Sequence, residues 1–165
     1  MGYVRYRRYG RNVDCGAVFV MLKVNIVCVG KIKEGYLREA CAEYVKRLSR
    51  FCKTEIREIA EGKNLNEEAE GILRAAKGYK IALCVEGTEL SSPALAERLK
   101  ALTDRGEEIT FIIGSSCGLA DCVKSAADLK LSFSQMTFPH QLMRVILLEQ
   151  VYRSFMLNSG SEYHK

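Results

Sequence analysis

The sequence predicts an α/β domain built on a parallel, doubly wound sheet of about five strands, and three observations predict it. Short β-branched runs ending in glycine recur along the chain, the clearest being KVNIVCVG (23–30), KIALCVEG (80–87) and EITFIIG (108–114). Between them lie segments whose apolar residues repeat every three or four positions, the spacing of a helix with one buried stripe. Strand and helix alternate in this way from Met21 onward without an internal repeat, low-complexity tract or linker. That is the pattern of one domain with helices on both faces of a parallel sheet.

The elements follow in order. The first strand, 23–30, is apolar almost throughout, as a strand covered on both faces must be. Leu37, Cys41, Tyr44, Leu48 and Phe51 mark the first helix. TEIREIA (54–60) alternates and suits a strand nearer an edge, and NLNEEAEGILRAAKG (64–78) reads as a helix weakened by Gly71. After the strand 80–87, Ser91 and Ser92 offer caps and Pro93 falls in the first turn of a helix running through Leu95, Leu99 and Leu102. The strand 108–114 leads through the loop SSCGL to a short helix over 120–127, then to a last strand, LKLSFS (129–134). The final helix follows from Pro139, which needs no backbone donor in a first turn and holds Phe138 extended.

Composition narrows the function. With 165 residues and 48% apolar content there is room for one full core, and no window approaches the ~20 apolar residues of a membrane span. A soluble protein is expected. The net charge of +5 is concentrated in residues 1–20, where Arg5, Arg7, Arg8 and Arg11 face Asp14 alone. The remaining 21 basic and 19 acidic residues leave no broad phosphate-binding face, so any RNA contact must rest on local patches. Seven cysteines without a Cys-x-x-Cys pair suit free thiols in a reducing cytoplasm rather than disulfides or a zinc site. Residues 1–20 have no apolar period or cap signal and are expected to be a dispensable extension, with Met21 as the natural start. An RNA-binding arm of interleaved Tyr and Arg is the sharper alternative.

Missing motifs exclude several chemistries. No Gly-x-Gly-x-x-Gly follows the first strand, and no Walker lysine loop or Gly-x-Ser-x-Gly elbow is present. Two distant histidines, His140 and His164, give no helical metal-ligand pair. In doubly wound sheets ligands bind beyond the carboxyl ends of the strands. Three such ends stand out: Leu83–Gly87, Gly114–Leu119 and Phe133–Phe138. The last combines the polar Ser134, Gln135 and Thr137 with the apolar Phe133, Met136 and Phe138, a mixture that suits a flat heteroaromatic ligand.

The stretch LSFSQMTFPHQLMRVILLEQVYRSF, the YHK ending, and the opening KVNIVCVGKIKEGYLREACAEYVKRLSRF together resemble the RlmH family of SPOUT-class methyltransferases. The resemblance covers residues 21–165 as one methyltransferase domain. It implies a C-terminal trefoil knot in the α/β fold, a homodimer, and S-adenosylmethionine (SAM) as methyl donor. The implied substrate is N3 of the pseudouridine at position 1915, in helix 69 of 23S rRNA, within the assembled 70S ribosome in the cytoplasm; no metal and no membrane are implied. Carried over by position, the cofactor contacts fall on Leu83, Gly114, Phe133, Ser134, Gln135, Met136, Thr137 and Phe138. Two positions depart from the family pattern: Ser115 replaces a usual glycine, and Cys84 a common acidic residue.

Methylating an imide nitrogen requires loss of its proton near the transition state, and so a base or a cation that stabilises the anion. His140, in the first turn of the last helix, is a candidate base, since the helix dipole disfavours imidazolium there; capping the helix is its mundane alternative. The family ending implies that Tyr163 and His164, with Lys165, reach the active site, and that of the partner subunit is one possibility. Arg144 and Arg153 are candidate phosphate or anion contacts, although Arg153 can equally pair with Glu149 one turn earlier. The last helix is apolar on two sides, with Val145, Ile146, Leu148, Tyr152 and Met156 on one and Met143, Leu147 and Val151 on the other, which points to a second subunit, a central helix within a monomer being the plainer alternative. A SPOUT enzyme with another RNA target and a non-catalytic ribosome-binding factor are the rival readings.

Overall fold

The computed structural model describes residues 22–161, so the extension 1–20 and the tail residues Tyr163 and His164 lie outside the described residues. Five strands, β1 (Lys23–Val29), β2 (Lys53–Ile59), β3 (Tyr79–Glu89), β4 (Ile109–Ile113) and β5 (Leu129–Ser132), form one sheet. Its order is β2-β1-β4-β3-β5 and every neighbouring pair is parallel. The helices α1 (Gly35–Leu48), α2 (Leu65–Ala75), α3 (Ser92–Asp104), α4 (Asp121–Ser125) and α5 (His140–Asn158) alternate with the strands, as expected.

Period-two alternation divides the core into two layers. Val24, Ile26 and Cys28 of β1 and Ile109, Phe111 and Ile113 of β4 pack with Leu37 of α1, Leu99 of α3 and Leu147 of α5. Val27 and Val29 of β1 and Ile112 of β4 pack on the other face with Ile72 of α2 and Val123 of α4. The sheet is doubly wound, with α1, α3 and α5 on one face and α2 and α4 on the other.

Local chemistry explains where the elements stop. The Asn64 side chain accepts from the backbone of Asn66 and Glu67 and caps α2, and Ser91 caps α3 with Pro93 in its first turn. Gly71 does not weaken α2 without return: a Cβ there would lie 2.7 Å from Ile59, so glycine lets the helix settle closely on β2. The strand β3 is longer than its apolar run. Leu83 and Thr88 both stand opposite Leu131, so Cys84–Gly87 bulge outward before pairing resumes.

Candidate active site

The ends of β4, β3 and β5 are consecutive in the sheet, so the three segments singled out by sequence leave it side by side. At the β4 end the chain turns immediately on itself: Gly118 N–H donates to Ser115 O at 3.0 Å, and Gly118 has φ +84°. A Cβ at Gly114 would lie 2.1 Å from the Gly118 carbonyl oxygen, so this turn demands glycine at both positions whether or not a ligand approaches. Ser115 donates its hydroxyl to Glu68 Oε2 at 3.0 Å, and that buried carboxylate also accepts Gly62 N–H at 3.3 Å. The hydroxyl is thereby committed to α2.

At the β3 end, Leu83 and Cys84 are half-buried. Burial raises the Cys84 thiol above its ordinary range, Glu86 adds to this, and Lys124 and Lys130 oppose it. Glu86 pairs with Lys124 at 2.5 Å, which joins the bulge to α4. After β5, Ser132 Oγ donates to Ser134 O at 3.1 Å and Met136 N–H donates to Ser134 Oγ at 3.0 Å. Gln135 Nε2 donates to Glu89 Oε1 at 2.7 Å, tying this loop to β3. Among the described residues, the backbone N–H groups of Gln135, Thr137 and Phe138 make no hydrogen bond. Beside them Met136 is 73% exposed and Phe138 40%.

The segment 133–139 then makes a crossing that sequence does not announce. It leaves the edge strand β5, yet α5 begins against the far side of the sheet. Gln141 Oε1 accepts Lys33 N–H at 2.9 Å, just after β1. Arg144 donates to the carbonyls of Val29 and Gly30, each at 2.8 Å, and to Glu58 Oε1 at 2.9 Å. The loop therefore spans the carboxyl ends of β3 and β4. Pro139 is the residue before the first helical turn, and its carbonyl accepts Met143 N–H at 2.9 Å.

His140 opens α5 half-buried; among the described residues its side chain makes no hydrogen bond and does not cap the helix. Arg144, read from sequence as a candidate phosphate or anion contact, is 0% exposed, and both guanidinium NH2 groups donate to the end of β1 and to Glu58. Only its buried Nε lacks a partner. Arg153 takes the mundane role, with Nε and Nη2 on Glu149 Oε1 at 2.9 and 2.6 Å. In α5, Met143, Leu147, Leu148, Val151 and Phe155 are buried against the sheet, α1 and α3, while Val145, Ile146 and Met156 stay half-buried.

Sequence reasoning missed Glu58 and Glu68, the carboxylates that hold these loops; nothing in their local pattern separates them from surface acids. A groove of about 670 Å³ also opens under α1 at the ends of β1 and β2, with Lys31, Arg38 and Glu58 among polar residues and Ile32, Val45 and Ile56 among apolar ones. Among the described residues no cluster of three or more His, Cys, Asp or Glu could hold a metal, and no helix is long and apolar enough to cross a membrane.

A parallel, doubly wound five-stranded sheet defines the class: an α/β protein whose strand-end loops form the candidate site. Comparison with known proteins makes this specific. The family model described as "Predicted SPOUT methyltransferase" matches residues 22–164. The ribosomal RNA large subunit methyltransferase H of Streptococcus equi subsp. zooepidemicus is 43% identical over 159 residues, covering 87% of this chain and 100% of the relative. Its namesakes in Leuconostoc mesenteroides (43%) and Bifidobacterium adolescentis (45%) match over the same shares. The chain belongs to the SPOUT methyltransferases and, within them, to the RlmH family.

Proposed function

We propose that this protein transfers a methyl group from SAM to N3 of a pseudouridine in helix 69 of 23S rRNA, on the assembled 70S ribosome in the cytoplasm. Family membership supports the reaction class, and the loop 133–138 is the observation that carries the site. It presents free backbone donors at Gln135, Thr137 and Phe138 beside the exposed apolar surface of Met136 and Phe138. That combination fits the edge and faces of an adenine ring. Leu83, Gly114, Phe133, Ser134, Gln135, Met136, Thr137 and Phe138 would hold the cofactor, which supplies an electrophilic methyl on a sulfonium.

The chain's own contribution is positioning and proton handling. His140, with no partner among the described residues, accepts the proton leaving N3 or hydrogen-bonds the base. Tyr163 and His164 complete the site from the tail, holding the flipped nucleotide. Arg144 acts by fixing α5 and does not contact the nucleotide. We further propose that the crossing segment closes a trefoil knot and that the half-buried Val145, Ile146 and Met156 lie against a second copy in a homodimer.

Calorimetry with SAM and a map of rRNA methyl groups in cells lacking the gene test the reading. The expected results are one SAM site per chain and loss of the helix 69 methyl group. No SAM binding by the pure protein, or retention of that methyl group, would sink it. Deleting Tyr163–Lys165 is expected to abolish methylation of 70S ribosomes while leaving SAM binding intact; a normal rate would remove the tail from the site. Sedimentation showing a stable monomer of 18.5 kDa would remove the dimer.

A further inference from the structure

Between β1 and α1 the chain reads KIKEGYLR (31–38), with Lys31, Lys33 and Arg38 against Glu34 alone. Its pattern is two-sided. Ile32 and Leu37 are buried, while Lys31, Lys33, Glu34 and Tyr36 are exposed. The loop is held in that orientation by three hydrogen bonds. Ile32 N–H donates to Glu58 Oε1 at 3.1 Å, Arg38 Nη2 to Ile32 O at 3.1 Å, and Lys33 N–H to Gln141 Oε1 at 2.9 Å.

What the loop presents to solvent is one aromatic ring among cations. Tyr36 is 68% exposed, the most exposed aromatic side chain among the described residues, and no other ring packs on it there. The ammonium groups of Lys31 and Lys33 have no acid partner among the described residues, and neither does the guanidinium of Arg38, which donates to Ile32 O. The Lys33–Gln141 bond places the loop one residue from His140, and the groove under α1 begins at Lys31. Unpaired cations around an exposed aromatic ring are the recognition chemistry of unstacked nucleic-acid strands, in which bases stack and ammonium groups meet phosphates.

Resting on the methyl-transfer reading above, we infer that the β1–α1 loop is the surface that grips single-stranded RNA beside the target nucleotide. Tyr36 stacks on an unpaired flanking base and Lys31 and Lys33 take the adjoining phosphates. A protein partner fits less well, because Lys31 and Lys33 are strongly hydrated point charges, and Tyr36 is the one exposed large apolar side chain within 31–38.

The test compares the full chain with Tyr36→Ala, Tyr36→Phe and the double variant Lys31→Gln/Lys33→Gln. Affinity is read by co-pelleting with ribosomes from cells lacking the gene, across a range of salt; SAM affinity and oligomeric mass are measured on protein alone. Tyr36→Ala is expected to weaken ribosome binding roughly ten- to hundredfold, with SAM affinity and mass unchanged, and Tyr36→Phe to restore most of it. The lysine double variant is expected to flatten the plot of log affinity against log salt by about 1.4, at ~0.7 per phosphate for a single strand. Undiminished pelleting of Tyr36→Ala overturns the inference, as does a wild-type chain that never pellets. A Tyr36→Ala protein of half the wild-type mass overturns it too, and makes Tyr36 a contact between copies. If the wild type pellets but transfers no methyl group, the methyl-transfer reading fails and the loop is still tested. If it methylates and Tyr36→Ala pellets normally, only the loop fails.

Discussion

Replacing Arg144 by Met keeps most of the side-chain volume and deletes the guanidinium, so its effect can be worked from the hydrogen bonds. Two buried carbonyls, Val29 O and Gly30 O, lose donors at 2.8 Å, and Glu58 loses one at 2.9 Å. An unsatisfied buried acceptor costs about 1–3 kcal/mol, nearer the lower figure for a carbonyl that retains another partner. The Glu58 side chain is 35% exposed and can rehydrate, so the ion pair itself adds little. Removing the unpartnered Nε returns part of the cost. The balance is a loss of about 2–4 kcal/mol, read as a drop of roughly 1–2 M in the urea midpoint. Because Arg144 holds the far end of the segment crossing β3 and β4, SAM affinity is expected to fall with it. Glu58→Gln leaves both carbonyl bonds in place and is expected to cost about 1 kcal/mol or less. A midpoint for Arg144→Met within experimental error of wild type, with unchanged SAM affinity, would refute the reasoning, since the clamp would then be idle.

Three other outcomes are expected. Gly114→Ala sets a Cβ 2.1 Å from Gly118 O, so the turn must open; a loss of about 2–3 kcal/mol in thermal melts and at least roughly tenfold weaker SAM binding by calorimetry should follow. Ser115→Ala leaves Glu68 Oε2 without its donor, and a loss of about 1–2 kcal/mol is expected in urea melts, whereas Ser115→Thr keeps the hydroxyl and is expected to lose less. Burial raises the Cys28 and Cys52 thiols from 9.0 to about 11, opposed by Arg144 at Cys28 and by the Thr54 hydrogen bond at Cys52. Their folded pKa lies above the unfolded one, so this stability is complete below pH 9 and is lost as pH rises to about 11, at most about 3 kcal/mol per thiol. Urea melts from pH 8 to 11 check it: Cys52→Ala should flatten the alkaline fall.

Much of the fold was legible because burial writes a period into the sequence. The alternation of Val24, Ile26 and Cys28 with Val27 and Val29 needs two apolar layers, and the stripe Leu95, Leu99, Leu102 needs a helix against one of them. Strand order was not legible, since β2-β1-β4-β3-β5 depends on which strands meet after the helices pack. The β3 bulge was hidden for a related reason: Thr88 returns to the sheet only because Leu131 of the edge strand is there to pair with it. The loops that form the candidate site were visible as composition at Gly114–Leu119 and Phe133–Phe138. The role of Arg144 was not, because a polar residue in an apolar helix reads as a contact for something outside. Its partners, Glu58 and the carbonyls of Val29 and Gly30, lie 86 to 115 residues away in the chain.

The same geometry gives a reason for the order of residues at the start of α5. A site at the carboxyl ends of parallel strands is open by construction, and its loops cannot be held by ladder bonds. Here three carboxylates hold them: Glu58 takes Ile32 N–H and Arg144, Glu68 takes Gly62 N–H and Ser115, and Glu89 takes Gln135. Arg144 sits one helical turn after His140, on the same face, so locking the guanidinium sets the rotation of the helix about its axis and with it the face His140 presents. Gln141, between them, ties that turn to Lys33. The cation in an otherwise apolar helix is therefore explained without any ligand. It fixes the phase of the helix, leaving the His140 side chain without a hydrogen bond among the described residues.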